Sequence, residues 1–264
     1  MPEQSQPYLS LVVPAYNEAA RLPQSIAEMS AHFSKHEVSH EILIVVEQSS
    51  DRTLELAMEL TAKQANFRVV DGGPQRGKGH AVRTGMLLAR GEIVFYMDAD
   101  LSVPLEEIAG FVEYLQNHPD VAVLAGNRQH AQSRIERRQS ALRQKMGQTF
   151  NVVLRVLSLL ELRDTQCGFK AFRREAAREI FARQTIEGFA FDVEVLLLAQ
   201  ALGYQVADRP VRWINSPASK VHIVHDSLRM LRDAVTLRRR VRAAVKQRPI
   251  VTGYSSMKSF NSSR

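Results

Sequence analysis

The stretch Gly91-Glu-Ile-Val-Phe-Tyr-Met-Asp-Ala-Asp-Leu-Ser-Val-Pro104 decides how the rest of the chain is read. Ile93 to Met97 is a short apolar run that follows a glycine and stops at charged residues. It predicts a strand buried on both faces, as in the middle of a parallel sheet. Asp98 and Asp100 come next, at spacing i, i+2, where the strand leaves the sheet. In open α/β sheets, ligands sit beyond the carboxyl ends of the strands. Two aspartates placed there can offer hard oxygen ligands to one divalent cation, Mg²⁺ or Mn²⁺, and leave positions for phosphate oxygens. A lone Asp-x-Asp is also what an ordinary acidic turn looks like, so its neighbours must decide.

Working outward toward the N-terminus, strand and helix patterns alternate. Leu9 to Val13 is β-branched and apolar and is closed by Pro14. Ala19 to Phe33 has helical spacing at Leu22, Ile26 and Met29. Glu41 to Val46 is a second strand. Ser49-Ser50-Asp51 offers caps for a helix whose apolar stripe is Leu54, Ala57, Met58 and Leu60. Phe67 to Val70 is a third strand. The loop Gly72-Gly-Pro-Gln-Arg-Gly-Lys-Gly79 precedes a helix over Ala81 to Ala89, which leads into the central strand. This alternation is the mark of a parallel, doubly wound α/β sheet. It gathers four strand-end segments: Pro14 to Glu18, Glu47 to Asp51, Gly72 to Gly79, and Asp98 to Asp100. Together they supply carboxylates, the cations Arg76 and Lys78, and the flat ring of Tyr16. That inventory suits a nucleoside diphosphate. Neither a Walker A loop nor a Gly-x-Gly-x-x-Gly after the first strand is present.

Toward the C-terminus, a helix over Leu105 to Gln116 and a strand over Val121 to Leu124 lead into Gly126-Asn-Arg128. Gln139 to Leu160 then reads as a long helix, and Asp164-Thr-Gln-Cys-Gly-Phe-Lys-Ala-Phe172 as a loop entering a strand. A helix over Arg174 to Phe181 follows, then another that opens at Phe189 and ends at Gly203. Gln205 to Trp213 is a last strand, and His222 to Lys246 a long basic helix. Residues 1–248 thus form one domain, with a nucleotide-binding half over 8–126 and an acceptor half over 127–248. Residues 249–264 read as a polar, disordered tail.

Composition narrows the class. The chain has 264 residues, 45% hydrophobic and 24% charged, which is ordinary for a soluble globular protein. One cysteine, Cys167, excludes an internal disulfide framework and points to a cytoplasmic setting. No apolar run approaches the roughly 20 residues that span a bilayer, and the N-terminus lacks a signal-peptide pattern. The net charge of +7 is concentrated in Arg128 to Lys145 and Arg229 to Arg248, patches that suit phosphates or an acidic membrane face. Aromatics are not interleaved with those cations, which argues against a nucleic-acid stacking platform. Residues 227–246 carry Leu231, Ala234, Val235, Val241 and Val245 along one side, with arginines elsewhere. Such a helix can lie on the cytoplasmic face of a membrane or pack on its own domain or a second copy.

The order of Val-Val-Pro-Ala-Tyr-Asn-Glu, Ser-Ser-Asp-Arg-Thr, Arg-Gly-Lys-Gly-His-Ala and Asp-Ala-Asp resembles the family 2 inverting glycosyltransferases of the GT-A fold. Gly126-Asn-Arg128, Asp164 to Phe172 and Phe191-Asp-Val-Glu194 are similar to the dolichyl-phosphate β-glucosyltransferase branch and its polyprenyl-phosphate relatives. The resemblance covers roughly residues 9 to 240. It implies metal-dependent, inverting transfer of a sugar from a UDP- or GDP-linked donor, UDP-glucose favoured, to a polyprenyl phosphate. It implies nucleotide contacts at Pro14, Tyr16, Glu18, Glu47, Lys78 and Asp98, and a metal at Asp98 and Asp100. It further implies catalytic roles for Asp98, Asp100, Asp192 and Arg128, and acceptor contacts at Arg128, Arg134, Asp164 and Gln166. One departure stands out: the family's Asp-Asp-Gly-Ser is here Val46-Glu47-Gln48-Ser49, so only Glu47 keeps a carboxylate.

Plainer readings stand beside these. Asp164 could cap a turn. Asp192 could serve the helix macrodipole, and its spacing from Glu194 sends only one of the two into a site. Cys167 reads as a small buried residue. His222 and His225 lack a third metal ligand. A hydroxyl acceptor would need a general base, with Asp192 first and Asp164 second. A sugar nucleotidyltransferase or a non-catalytic basic protein are the readings from other classes.

Overall fold

The computed structural model describes residues 6–135, 162, 164–214, 236–246 and 259–260. Its centre is an eight-stranded sheet. β1 (Leu9–Ala15), β2 (His40–Val46), β3 (Phe67–Asp71) and β4 (Ile93–Met97) are mutually parallel. β7 (Phe169–Arg173) then pairs antiparallel with both β4 and β5 (Val121–Asn127), and β8 (Gln205–Pro210) pairs parallel with β5. The short β10 (Ser259–Phe260) pairs antiparallel with β3, inside the tail read as disordered. The spatial order is β10-β3-β2-β1-β4-β7-β5-β8, with β4 near the middle as its composition predicts.

Each central strand feeds two apolar layers by its period of two. Val12, Leu43, Val45, Val94 and Tyr96 face one layer. Leu11, Val13, Ile42, Ile44, Ile93, Phe95 and Met97 face the other. The first layer meets α3 (Lys78–Leu88), α5 (Arg174–Arg183), α6 (Phe191–Ala201) and the helix over 236–246, here α7. The second meets α1 (Leu22–Phe33), α2 (Thr53–Thr61) and α4 (Glu107–Asn117). Full burial of each such aliphatic side chain contributes about 1.5–3 kcal/mol, so a strand apolar on both faces belongs at the centre and nowhere else.

Several boundaries differ from the expected ones, each for a local reason. α3 starts at Lys78, not Ala81, because Gly77 at φ +130° ends the loop there and lets the chain turn. α2 does take its cap from the expected Ser49-Ser50-Asp51 segment: Asp51 Oδ1 accepts the Thr53 N–H at 3.1 Å. Leu60 lies outside its buried stripe, at 39% exposure. The strand read over Gln205 to Trp213 breaks at Val211 into β8 and β9 (Arg212–Trp213), and β9 pairs in a separate two-stranded sheet with β6 (Arg134–Ile135). Gly203, at φ +83°, follows α6 as expected. The predicted helix over Gln139 to Leu160 lies outside the described residues, as does the first part of the basic helix, His222 included.

Candidate active site

At the carboxyl end of β4 the chain makes a tight turn. The Leu101 N–H donates to the Asp98 carbonyl at 3.1 Å, and the Ser102 N–H to Asp100 Oδ1 at 3.0 Å. Leu101 sits at φ +49°, a left-handed conformation costly for a branched residue and found where the surroundings impose it. This turn sends the two carboxylates out of the sheet side by side. Asp98 continues the face of Val94 and Tyr96 and meets the N-terminal end of α3, where Lys78 Nζ lies 2.6 Å from Asp98 Oδ1. Asp100 faces Arg21, 3.9 Å away, and Arg21 is held by a two-pronged bond to Glu18 at 2.6 and 2.7 Å.

Three carboxylates crowd Lys78. Burial works against its ammonium, but Asp98, then Asp192 and Asp100, outweigh it and raise the amine above its ordinary value. Asp98 itself is raised, by desolvation first and by Asp100 and Asp192 next, against the pull of Lys78. Its side chain nonetheless keeps 39% exposure, so one face remains open to a ligand. Asp98, Asp100, Asp192 and Glu18 outnumber Lys78, Arg21 and Lys170 here, and the surplus negative charge suits a cation. No set of three or more His, Cys, Asp or Glu side chains is arranged as a metal site among the described residues. Asp98 and Asp100 could therefore hold an ion only with oxygens from a ligand, which is the habit of Mg²⁺.

The four strand-end segments do converge. The Asn17 N–H donates to Ser49 Oγ at 3.0 Å and the Glu18 N–H to Thr53 Oγ1 at 2.8 Å. The Gln48 N–H donates to the Gly73 carbonyl at 2.8 Å. Pro14 lies half-buried within β1, which runs one residue further to Ala15, and Tyr16 beyond it is exposed, a flat ring at the rim. Glu47 is placed differently from expectation. It is 2% exposed and points inward, where its two oxygens accept the Gly77 N–H at 3.1 and 3.0 Å and Oε1 meets His80 Nδ1 at 3.0 Å. Its carboxylate braces the loop and the first turn of α3, and is not available to a nucleotide.

On the other side, Arg128 and Asp164 form one unit. Asp164 is fully buried and accepts from the Arg128 N–H, Nε and Nη2 at 2.9, 2.7 and 2.9 Å. Arg128 also lies over the Trp213 ring, 5.8 Å from its centroid. Burial alone would raise the Asp164 carboxyl; Arg128 outweighs it and holds the group below the usual range. Asp164 is thus neither a free base nor an acceptor contact, but the group that orients Arg128. Gln166 sits half-buried on the same turn, its N–H 3.3 Å from Asp164 Oδ1. Arg134 is exposed on β6, which pairs with the β9 strand that carries Trp213. Cys167 is buried and its thiol is pushed up to about 12 by desolvation, so it is inert.

Of the two acidic residues opening α6, Asp192 enters the site. Its Oδ1 accepts from Lys170 Nζ at 2.6 Å and from the Tyr96 hydroxyl. Glu194 turns the other way and binds the Thr185 and Ile186 backbone N–H groups and the Thr185 hydroxyl. Four site residues carry no role in the sequence reading. Lys170 was legible in principle as a lone charge inside an apolar strand, and Arg21 as the i+3 partner of Glu18. Gly168 lies so close to Asp98 that a Cβ there would meet Asp98 Oδ2 at 2.2 Å, and Tyr96 needs the fold to be seen at all.

The family described as Glycosyl transferase family 2 matches residues 10–181. A Dictyostelium discoideum protein named dolichyl-phosphate beta-glucosyltransferase is 35% identical over 241 residues, covering 88% of this chain and 74% of that protein. Glucosyl-3-phosphoglycerate synthase from Mycobacterium tuberculosis, solved with uridine diphosphate, superposes with a TM-score of 0.63 at 20% identity, covering 89% of this chain and 80% of that one. The same enzyme solved with Mn²⁺, UDP-glucose and phosphoglyceric acid superposes at 0.58, with 20% identity and the same coverage. The chain belongs to glycosyl transferase family 2, and it is a glycosyltransferase built on the GT-A fold.

Proposed function

We propose that the protein transfers glucose from UDP-glucose, with inversion, to a polyprenyl phosphate of the dolichyl type. The observation that carries this reading is the cluster of Asp98, Asp100 and Lys78 at the end of β4, open on one side and bearing surplus negative charge. Relatives named dolichyl-phosphate beta-glucosyltransferase support the acceptor, and a neighbour solved with UDP-glucose and Mn²⁺ supports the donor. Asp98 and Asp100 are the residues that would hold Mg²⁺ or Mn²⁺, and such an ion supplies charge neutralisation to a leaving diphosphate.

The chain's own groups do the rest. Tyr16 and the loop over 72–77 frame the nucleotide, and Lys78 sits where negative charge grows on the departing phosphate. An oxygen of the acceptor phosphate forms the new bond to the anomeric carbon as the bond to the diphosphate breaks, and the electron pair leaves on the β-phosphate oxygen. The acceptor arrives ionised, so no proton has to be removed. This agrees with the pairing of Asp164 to Arg128 and of Asp192 to Lys170, which leaves neither carboxylate as a free base. Arg128, held by Asp164, is the cation offered to the acceptor phosphate, and Arg134 extends that positive rim.

The test is a transfer assay with radiolabelled UDP-glucose, Mn²⁺ and a polyprenyl phosphate. Label should move into the organic phase as a lipid-linked, acid-labile glucose. GDP-mannose should give far less product. Label that passes only to water, or to a hydroxyl acceptor, would overturn the reading.

A further inference from the structure

Lys170 is the least expected charge in the molecule. It stands inside β7 between Phe169 and Ala171 and is fully buried. It lies opposite Tyr96 in the β4–β7 register, with Nζ 5.4 Å from the Tyr96 ring centroid. The ammonium donates to the Cys167 carbonyl at 2.7 Å and to Asp192 Oδ1 at 2.6 Å, the same oxygen that takes the Tyr96 hydroxyl. Removing such a pair of charges from water is costly, and well-packed apolar residues in its place often serve a fold equally well or better. Stability therefore does not account for the pair. Its location does: Tyr96 is two residues from Asp98 on the same face, and Gly168, next to Cys167, packs directly on the Asp98 carboxylate.

We infer that Lys170 is a positioning residue that holds the Asp192 carboxylate in one orientation beside the reacting anomeric carbon, and that fixes the 167–168 turn against Asp98. The inference rests on the glycosyl-transfer reading above. As the sugar–diphosphate bond breaks ahead of the new bond, positive charge develops on the anomeric carbon and ring oxygen. A carboxylate stabilises that charge only if it is held in place. Asp192 also acts on Lys78. Given its own cation, it leaves Lys78 to Asp98; without Lys170 it would compete for that amine. Asp192 then acts by charge, and no proton passes through it.

Three variants decide this: Lys170→Met, Asp192→Asn, and the two combined, which replaces the buried ion pair by a neutral one. Each is measured for melting temperature, calorimetric affinity for UDP with Mn²⁺, and kcat and KM per folded molecule. Asp192→Asn should lower kcat about 100-fold, with KM for UDP-glucose and UDP affinity within about threefold of wild type. Lys170→Met should fall in the same range. The combined variant should melt close to wild type, with kcat no lower than that of the weaker single variant, because the two residues act as one unit. A Lys170→Met enzyme with wild-type kcat per folded molecule would make Lys170 a fold contact only and end the proposal. So would losses that multiply in the combined variant. If Lys170→Met does not fold, the comparison of the combined variant with Asp192→Asn decides alone. If wild type proves inactive toward polyprenyl phosphate, the acceptor assignment fails separately, and the same ratios are read from slow hydrolysis of UDP-glucose.

Discussion

Asp98 is pulled in two directions at once: Lys78 neutralises it at 2.6 Å, while Asp100 and Asp192 crowd it. A carboxylate in that balance is where one lost charge is felt most. Asp98→Asn or Asp100→Asn should lower turnover by roughly 100-fold or more, and near-normal transfer at saturating UDP-glucose would remove both from the catalytic centre. Glu47 shows the limit of reading residue by residue. The alternation of Ile42, Ile44 and Val46 puts residues 43, 45 and 47 on the opposite face, but both faces are apolar, so the sequence does not say which one is covered. The structure puts Glu47 under α3, and Glu47→Ala should cost about 1–3 kcal/mol of stability through the stranded Gly77 N–H and His80. A denaturant midpoint equal to wild type would contradict that. Asp164 allows a pH argument. Its folded value is depressed, so it contributes stability that is present above the ordinary carboxylate value of about 3.9 and lost as pH falls through the folded value. Asp164→Asn should therefore flatten the acid limb of the stability profile and cost about 1–3 kcal/mol near neutrality, by weakening the charge-assisted bonds to the half-buried Arg128. An unchanged limb would assign acid unfolding to other groups.

Elements were legible wherever one period dominated. β4, with five buried residues in a row, and α1, with Leu22, Ile26, Met29 and Phe33 buried at spacings of four and three, lie close to where the pattern puts them. Boundaries set by tertiary contacts were not. α3 gains its first turn because Glu47 and the Glu187 carbonyl bind its N-terminal end, partners thirty or more residues away. α7 shows two faces with different fates. Val241 of the expected stripe is buried in the layer shared with α6 and Val245 packs against it, joined by Leu237 and Ala244, so this face packs on its own domain; Leu231, Ala234 and Val235 lie outside the described residues. Arg238, Arg239, Arg242 and Lys246 are exposed. The face left outward is basic, and an anionic bilayer is the partner proposed for it, each such residue near the surface contributing about 1 kcal/mol. Co-sedimentation with anionic vesicles should be strong at low salt, fall steeply as salt rises, and weaken when Arg238, Arg239 and Arg242 become glutamine with no change in melting temperature. Protein that stays in the supernatant at low salt would leave the face as a solvated one.

At the scale of the molecule, the parallel alternation through β4 was readable because each βαβ step repeats the same pattern. The insertion of β7 between β4 and β5 was not, since its segment lies more than seventy residues from β4 and antiparallel pairing leaves no mark on an apolar strand. That insertion matters for function. It carries Lys170 and Gly168 to the back of the Asp98 site, so the second half of the chain completes a site begun by the first. Donor and fold should then be coupled through the whole sheet. On the donor reading proposed above, a nucleoside diphosphate would touch the ends of β1 to β4 and, through Asp98, the β7 turn, so binding should stabilise the domain as one unit. A ligand present at 100 times its dissociation constant adds about 2.7 kcal/mol, or roughly 2–4 °C per kcal/mol for a domain of this size. UDP with Mn²⁺ should therefore raise the melting temperature by several degrees, while UDP alone or Mn²⁺ alone does much less, because Asp98 and Asp100 need phosphate oxygens to complete an ion's shell. In Asp98→Asn the joint effect should vanish and leave only the small shift of UDP alone. A full shift from UDP without metal would mean that Lys78 and Arg21 bind the diphosphate unaided, and would place the aspartates outside the donor site.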